Sequence, residues 1–153
     1  MADSSRRAAA NPRKGGLPNA LFLVAAAEEL PGPLVGRVDL VTIVLPWGSL
    51  LRGLLAADRD LIAGITDLAC PEGDIEILVS ATDRDAAAHG FTLVNEADAD
   101  GLVERLESAG LRVLECRPAD QSDVARLSSG WGKRLGIPTK RQAWFLRLRR
   151  SLA

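Results

Sequence analysis

The sequence predicts an α/β fold: one domain on a mostly parallel sheet, closed by an antiparallel C-terminal strand. Three observations predict it. Apolar strand-like runs alternate with helical stripes, the pattern of parallel strands joined by right-handed crossovers. Val38, Leu40, Val41, Ile43, Val44 and Leu45 form a nearly continuous apolar run, the mark of a strand buried on both faces. The last run alternates instead, with Trp144, Leu146 and Leu148 on one side and Phe145, Arg147 and Arg149 on the other, which suits an edge or antiparallel strand with one wetter face.

Each element has its own local reason. Residues 3–11 are rich in Ala and Arg and are compatible with a helix, and Pro12 to Pro18 is a turn-rich linker. Ala20-Leu21-Phe22-Leu23-Val24 reads as a short buried strand. Pro31, Gly32, Pro33 and Gly36 mark a loop before the strand at 38–45. Leu50, Leu51, Leu54 and Leu55 form the stripe of a helix from Ser49 to Ala57, and Leu61, Ile62, Ile65 and Leu68 that of a helix from Asp58. Pro71-Glu72-Gly73 predicts a turn, and Ile75, Ile77 and Val79 a strand. The stretch 81–94 is ambiguous, with Phe91-Thr92-Leu93-Val94 open to an extended reading. Glu96 to Ala109 is an amphipathic helix closed by Gly110, Leu111 to Cys116 a strand, Asp120 to Leu127 a helix, and Gln142 to Arg149 the final strand.

Composition narrows the classes. The 153 residues are 47% apolar and 25% charged, ordinary globular usage with room for a core. No window reaches the ~18 apolar residues of a membrane span. No apolar signal core follows Met1, so a cytoplasmic protein is expected. Cys70 and Cys116 lie far apart, without metal-ligand spacing, and read as reduced core thiols. Asp83 and Asp85 lack the spacing of a calcium loop, and His89 reads as a surface residue, so no metal is expected.

Charge is strongly segregated. Residues 1–16 carry a net +3, residues 124–153 carry +8 with no acid, and residues 17–123 carry −12. Basic ends on an acidic body suggest a polyanion partner, with a solvated basic surface as the plainer alternative.

The segment Leu45-Pro46-Trp47-Gly48-Ser49-Leu50-Leu51 carries most of the functional signal. Pro46 cannot extend a strand ladder, and Gly48 and Ser49 suit a tight turn and a helix cap. A tryptophan therefore falls at the carboxyl end of a strand, where open α/β sheets bind ligands. An indole there can stack on a flat ligand such as a nucleobase; the alternative is a core tryptophan. Trp131, flanked by Gly130 and Gly132, reads as a loop-borne exposed indole, with a core tryptophan at helical spacing after Val124 and Leu127 as the alternative, and Trp144 reads as core.

Three patches in order now carry a resemblance: Ala25-Ala26-Ala27-Glu28-Glu29-Leu30-Pro31 followed by Asp39-Leu40-Val41; the segment at 45–51; and Ser128-Ser129-Gly130-Trp131-Gly132-Lys133-Arg134-Leu135 before a basic strand. The first resembles the acidic motif and following strand of class I S-adenosylmethionine methyltransferases. Together they resemble the bacterial 16S rRNA (adenine(1408)-N(1))-methyltransferases of aminoglycoside resistance, from about residue 8 to the end, including Lys14-Gly15-Gly16-Leu17-Pro18-Asn19.

The resemblance implies a Rossmann-like class I sheet, S-adenosyl-L-methionine as cofactor, and 16S rRNA in the 30S subunit as partner. It implies that Trp47 and Trp131 sandwich an extruded adenine, as a base taken out of its stack requires, with Ser129 near the methyl donor. Ala27, Glu28, Val44 and Ser49 match cofactor positions, and Lys133, Arg134, Lys140 and Arg141 match a stretch gripping rRNA phosphates, with Arg6, Arg7, Arg13 and Lys14 as possible additions.

The chain also departs from the pattern. The family's opening strand with its acidic, Gly-rich turn has no counterpart here, nor does the second strand ending in a ribose-binding acid. The expectation is therefore an incomplete, N-terminally truncated sheet lacking its first two strands. It has a basic helix and linker over 1–18 and a truncated methyltransferase domain over 19–153. Its cofactor site is incomplete, and a non-catalytic remnant or basic RNA-binding module stands as the alternative.

Overall fold

Four apolar runs become strands: β1 (Val38–Val44), β2 (Ala69–Val79), β3 (Leu111–Pro118) and β4 (Trp144–Arg150). They form one sheet in the order β1-β2-β4-β3. The computed structural model describes residues 13, 16–21, 24–127 and 130–150, without side-chain surroundings at 88, 89, 130, 131 and 133. The helix expected over 3–11 lies outside the described residues.

β1 and β2 are parallel, whereas β4 is antiparallel to both β2 and β3. Three strands thus share one direction and β4 opposes them, so the expected mostly parallel sheet holds for strand directions. It does not hold for neighbouring pairs, two of which are antiparallel. β4 is also no edge strand: it lies between β2 and β3 and exchanges ladder bonds on both sides. Its alternation is as expected, but alternation reports two faces and not a place in the sheet.

Among the described residues six α-helices connect the strands: α1 (Gly48–Ala56), α2 (Arg59–Leu68), α3 (Asp83–His89), α4 (Glu96–Ser108), α5 (Gln121–Arg126) and α6 (Gly130–Leu135). Asp58 caps α2 by accepting from the backbone N–H groups of Asp60 and Leu61. Asn95 caps α4 through the N–H of Asp98. Thr82 and Asp85 form a reciprocal capping box that starts α3 within the ambiguous stretch, and Ala81 bridges Leu93 just beyond it.

The main core lies on one face of the sheet. Ile75, Ile77 and Val79 of β2 and Trp144, Leu146 and Leu148 of β4 pack against Leu51, Leu54 and Leu55 of α1, Leu61, Ile62 and Ile65 of α2, and Leu102 and Leu106 of α4. A smaller cluster on the other face joins Leu45, Leu78, Ala119, Val124, Ile137, Ala143 and Phe145. Arg117 and Arg126 both lie over the Phe145 ring, at 4.8 and 5.2 Å from its centre.

Three expectations fail in instructive ways. β1 was expected to be buried on both faces, yet Leu40 is 47% exposed and Thr42 is exposed, because β1 stands at the edge of the sheet. The Pro71-Glu72-Gly73 turn is instead a bulge inside β2: pairing steps from Val38↔Ala69 to Leu40↔Asp74. The strand expected at 20–24 is absent at Ala20, Leu21 and Val24, while Phe22 and Leu23 lie outside the described residues. Cys70 and Cys116 are free thiols, as expected, but half-buried, and burial pushes the Cys116 thiol up.

Candidate nucleic-acid and cofactor cleft

At the carboxyl end of β1 the chain turns within three residues into α1. Leu45 makes that turn with a φ of 49°, a left-handed conformation that costs a bulky L-residue roughly 1–2 kcal/mol. Two restraints hold it there. Its N–H donates to Leu78 O at 2.7 Å, and its side chain is buried in the smaller cluster. Pro46 follows, and Trp47, in extended conformation, is the residue that caps α1. Its indole is 84% exposed, so it is not a core tryptophan. Ser49, read as a helix cap, lies inside the first turn of α1 and is exposed.

Trp47 stands at the lip of a cleft of about 920 Å³. One wall is apolar, from Val44, Leu45, Pro46, Leu50 and Leu51. Polar lining comes from Ser80 just after β2, Asp85 on α3 and Arg141 just before β4, and Leu135 of α6 also lines the cleft. The three polar groups form one network. Arg141 Nε donates to Ser80 Oγ at 2.8 Å, and its Nη2 donates to Asp85 Oδ2 at 3.1 Å. Ser80 Oγ in turn donates to Gln142 O at 2.6 Å. Asp85 also accepts from the Thr82 backbone N–H at 2.7 Å, so the capping box of α3 and the cleft share one carboxylate.

The other sequence-derived candidates separate into groups. Ala27 and Glu28 lie in a turn closed by the Glu29 N–H to Ala26 O bond, against α2 and not among the described lining residues of the cleft. Arg134 and Lys140 are exposed and also outside that lining. Trp131 and Lys133 sit on α6, so the backbone at Trp131 is helical where a loop was expected; their side-chain surroundings, and the whole of Ser129, lie outside the described residues. Two glycines in so short a helix are tolerated because its end is secured. Gly136 takes a φ of 69°, and the Ile137 N–H returns to Gly132 O, which closes the helix. Among the described residues no His, Cys, Asp and Glu group could hold a metal ion.

Residues 1–149 match the model of the family described as NpmA: 16S rRNA (adenine(1408)-N(1))-methyltransferase. The chain belongs to that family. The Escherichia coli 16S rRNA (adenine(1408)-N(1))-methyltransferase is 32% identical over 145 residues, covering 91% of this chain and 66% of the relative. Its counterpart from Streptoalloteichus hindustanus is 35% identical over 140 residues, covering 88% and 64%. The chain thus spans about two thirds of the length of these relatives. Among solved structures, the 16S rRNA methyltransferase KamB superposes with a TM-score of 0.79 at 31% identity, covering 99% of this chain and 72% of that one. A variant of the enzyme from Catenulisporales acidiphilia with cosubstrate SAM gives a TM-score of 0.79 at 29% identity, covering 99% and 70%.

Within this member of the adenine(1408)-N(1) methyltransferase family, the cleft brings together three sequence-derived candidates, Trp47, Val44 and Arg141. Ser80 and Asp85 were missed. A signal existed for both: Ser80 ends a strand at the ligand-binding edge of a parallel pair, and Thr82-x-x-Asp85 is a capping-box pattern. What the sequence did not announce is that Arg141, 56 residues beyond Asp85, returns to pair with it.

Proposed function

We propose that this chain serves S-adenosylmethionine-dependent methylation of adenine N1 in 16S rRNA, the modification that confers aminoglycoside resistance, with Trp47 as the stacking platform for the target base. The observation that carries this reading is the exposed Trp47 indole, held by a strained turn at the lip of an apolar cleft at the carboxyl ends of β1 and β2. Base–aromatic stacking of this kind contributes ~1–3 kcal/mol per base. Trp131, on α6, is the proposed second face of the clamp, and Ser129 a neighbour of the methyl donor.

The cleft's chemistry fits a flat ring. Val44, Leu50 and Leu51 offer an apolar shelf for an adenine or for the adenosyl part of the cofactor. Asp85 and Ser80, its polar groups beside Arg141, are engaged with that arginine and with Thr82 and Gln142 respectively, so they fit the charged amino-acid end of the cofactor less well. When bound, S-adenosylmethionine supplies a sulfonium-activated methyl group. Adenine N1 carries its own lone pair, so no strong base is required, and the carboxylate described in the cleft, Asp85, is already paired with Arg141. The chain's contribution is placement: Trp47 holds the ring, and the Ser80–Arg141–Asp85 network fixes the polar lining of the cleft.

Ala27, Glu28 and Ser49 are proposed cofactor contacts, although none is a described lining residue of the cleft, and this separation supports an incomplete cofactor site. Lys133, Arg134, Lys140 and Arg141 are the proposed phosphate grip in the 30S subunit; Arg141 would act there while tied to Asp85. The second reading, a basic RNA-binding module without catalysis, draws on the same separation and on the open edge of β1.

Calorimetric titration with S-adenosylmethionine tests the cofactor site. The expected result is binding weaker than micromolar; micromolar affinity would overturn the incomplete site. Gel-shift titration with a decoding-site rRNA hairpin tests the shared part, and a Trp47→Ala variant that binds as tightly as wild type would remove the platform.

A further inference from the structure

Helix α2 carries a glycine at its centre, Gly64, where helix propensity alone would favour alanine. The reason lies outside the helix. A Cβ at Gly64 would collide with the carbonyl oxygen of Ala27, and would stand 3.2 Å from Ala27 C and 3.3 Å from Glu28 Cα. All three neighbours are main-chain atoms, so no side chain can swing away to make room. The turn bearing Ala27 and Glu28 is therefore pressed directly onto the helix. Ala27 packs against the main core, Glu28 points to solvent, and the Ala26↔Glu29 bridge closes the turn. Glu29 N–H to Ala26 O, at 3.2 Å, is its one backbone bond among those described.

We infer that Gly64 is a positioning residue: its missing side chain is the seat that fixes the Ala26–Glu29 turn on α2, and so fixes Glu28 relative to the sheet. This rests on the reading of Ala27 and Glu28 as cofactor contacts, and it adds a residue outside the Ala25–Pro31 segment that acts through it. A single bridge and one long hydrogen bond give the turn little rigidity of its own. Its position is set by the surface beneath it.

The experiment compares Gly64→Ala with Gly101→Ala in the full chain. Gly101 is also mid-helix, on α4, and an added Cβ there meets only Arg105 Nη1 at 3.4 Å. Amide hydrogen exchange and S-adenosylmethionine titration to millimolar concentration by NMR are read together. Gly64→Ala should speed exchange at the Glu29 amide at least tenfold while the α2 amides stay protected, and should weaken cofactor binding at least fivefold. Gly101→Ala should leave both unchanged. Unaltered Glu29 exchange in Gly64→Ala overturns the seat. Faster exchange with no cofactor-induced shift at Ala27 or Glu28, even in wild type, leaves the seat standing and removes the cofactor role of the turn. Should Gly64→Ala fail to fold, exchange in the wild-type chain decides. Glu29 opening together with the α2 amides supports the seat, and Glu29 exchanging freely over a protected α2 overturns it.

Discussion

One face of the sheet presents Val41, Ile43, Ile75, Ile77, Leu146 and Leu148 to α1, α2 and α4. The other presents a short apolar patch around Phe145 and Leu78 at one end, and Asp74, Glu76, Arg147 and Arg149 at the other. On the second face Asp74 is paired with both Arg147 and Arg149, and Glu76 with Arg126 at 2.5 Å. The first face is held by area removed from water, the second by directed polar contacts around a smaller apolar patch. The cleft lies at the carboxyl edge of the sheet, where Val44 and Leu45 beside the smaller cluster meet Leu50 and Leu51 of α1 beside the larger one, so the surface assigned to function draws on both faces.

The comparison can be broken at graded strength. Ile77→Ala on the first face should cost about 3–4 kcal/mol, read as a fall in the urea midpoint at constant slope, because it opens a cavity in the middle of β2. Asp123→Asn on the second face should cost about 2–3 kcal/mol. Asp123 is almost fully buried and receives Arg117 through two bonds of 2.6 and 3.0 Å as well as the Asp120 N–H at 2.9 Å. Trp47→Ala should cost ~1–3 kcal/mol of rRNA-hairpin affinity, with stability changed by less than ~0.5 kcal/mol, since the indole has little to lose by truncation in the free protein. Trp144→Phe should change stability by less than about 1 kcal/mol: its Nε1 is buried with no partner, so the lost ring area is offset by relief of an orphan donor.

Acid should distinguish the faces as well. Hydrogen bonds from Arg117 hold the Asp123 carboxyl below the ordinary carboxylate range, and those from Arg149 and then Arg147 do the same for Asp74. Groups with lowered native pKa values contribute stability that is complete above the unfolded value near ~3.9 and is lost as pH falls through the native one. The urea midpoint should therefore drop between about pH 5 and 2 in wild type, and drop less in Asp123→Asn.

The legibility of the chain follows the same division. The first face was readable because its strands and helical stripes are written in local periodicity: α1, α2, α4 and β3 begin or end within a few residues of their expected places. Trp144 is buried as its alternation with Leu146 and Leu148 required. The place of β4 was not readable, since its partners β2 and β3 are 73 and 32 residues away, as in Ile75↔Leu148 and Glu115↔Arg147, the second beside a register shift. The bulge at 70–73 was hidden for the same reason: Pro-Glu-Gly signals a break in a strand without saying whether the strand resumes. In the cleft, Trp47 was legible from the strand–Pro–helix boundary. Arg141 was legible only as one more positive charge, because its pairing with Asp85 depends on how the segment before β4 meets the distant start of α3.

The left-handed Leu45 has a consequence for engineering. The heading of position 47 is written into main-chain dihedral angles that Leu78 and the smaller cluster enforce from behind, so the ring itself carries none of the burden of aiming. Other flat side chains can be installed at that site without redesigning the loop. A set of variants there would vary the electronics of ring-on-ring contact while the presentation angle stays constant.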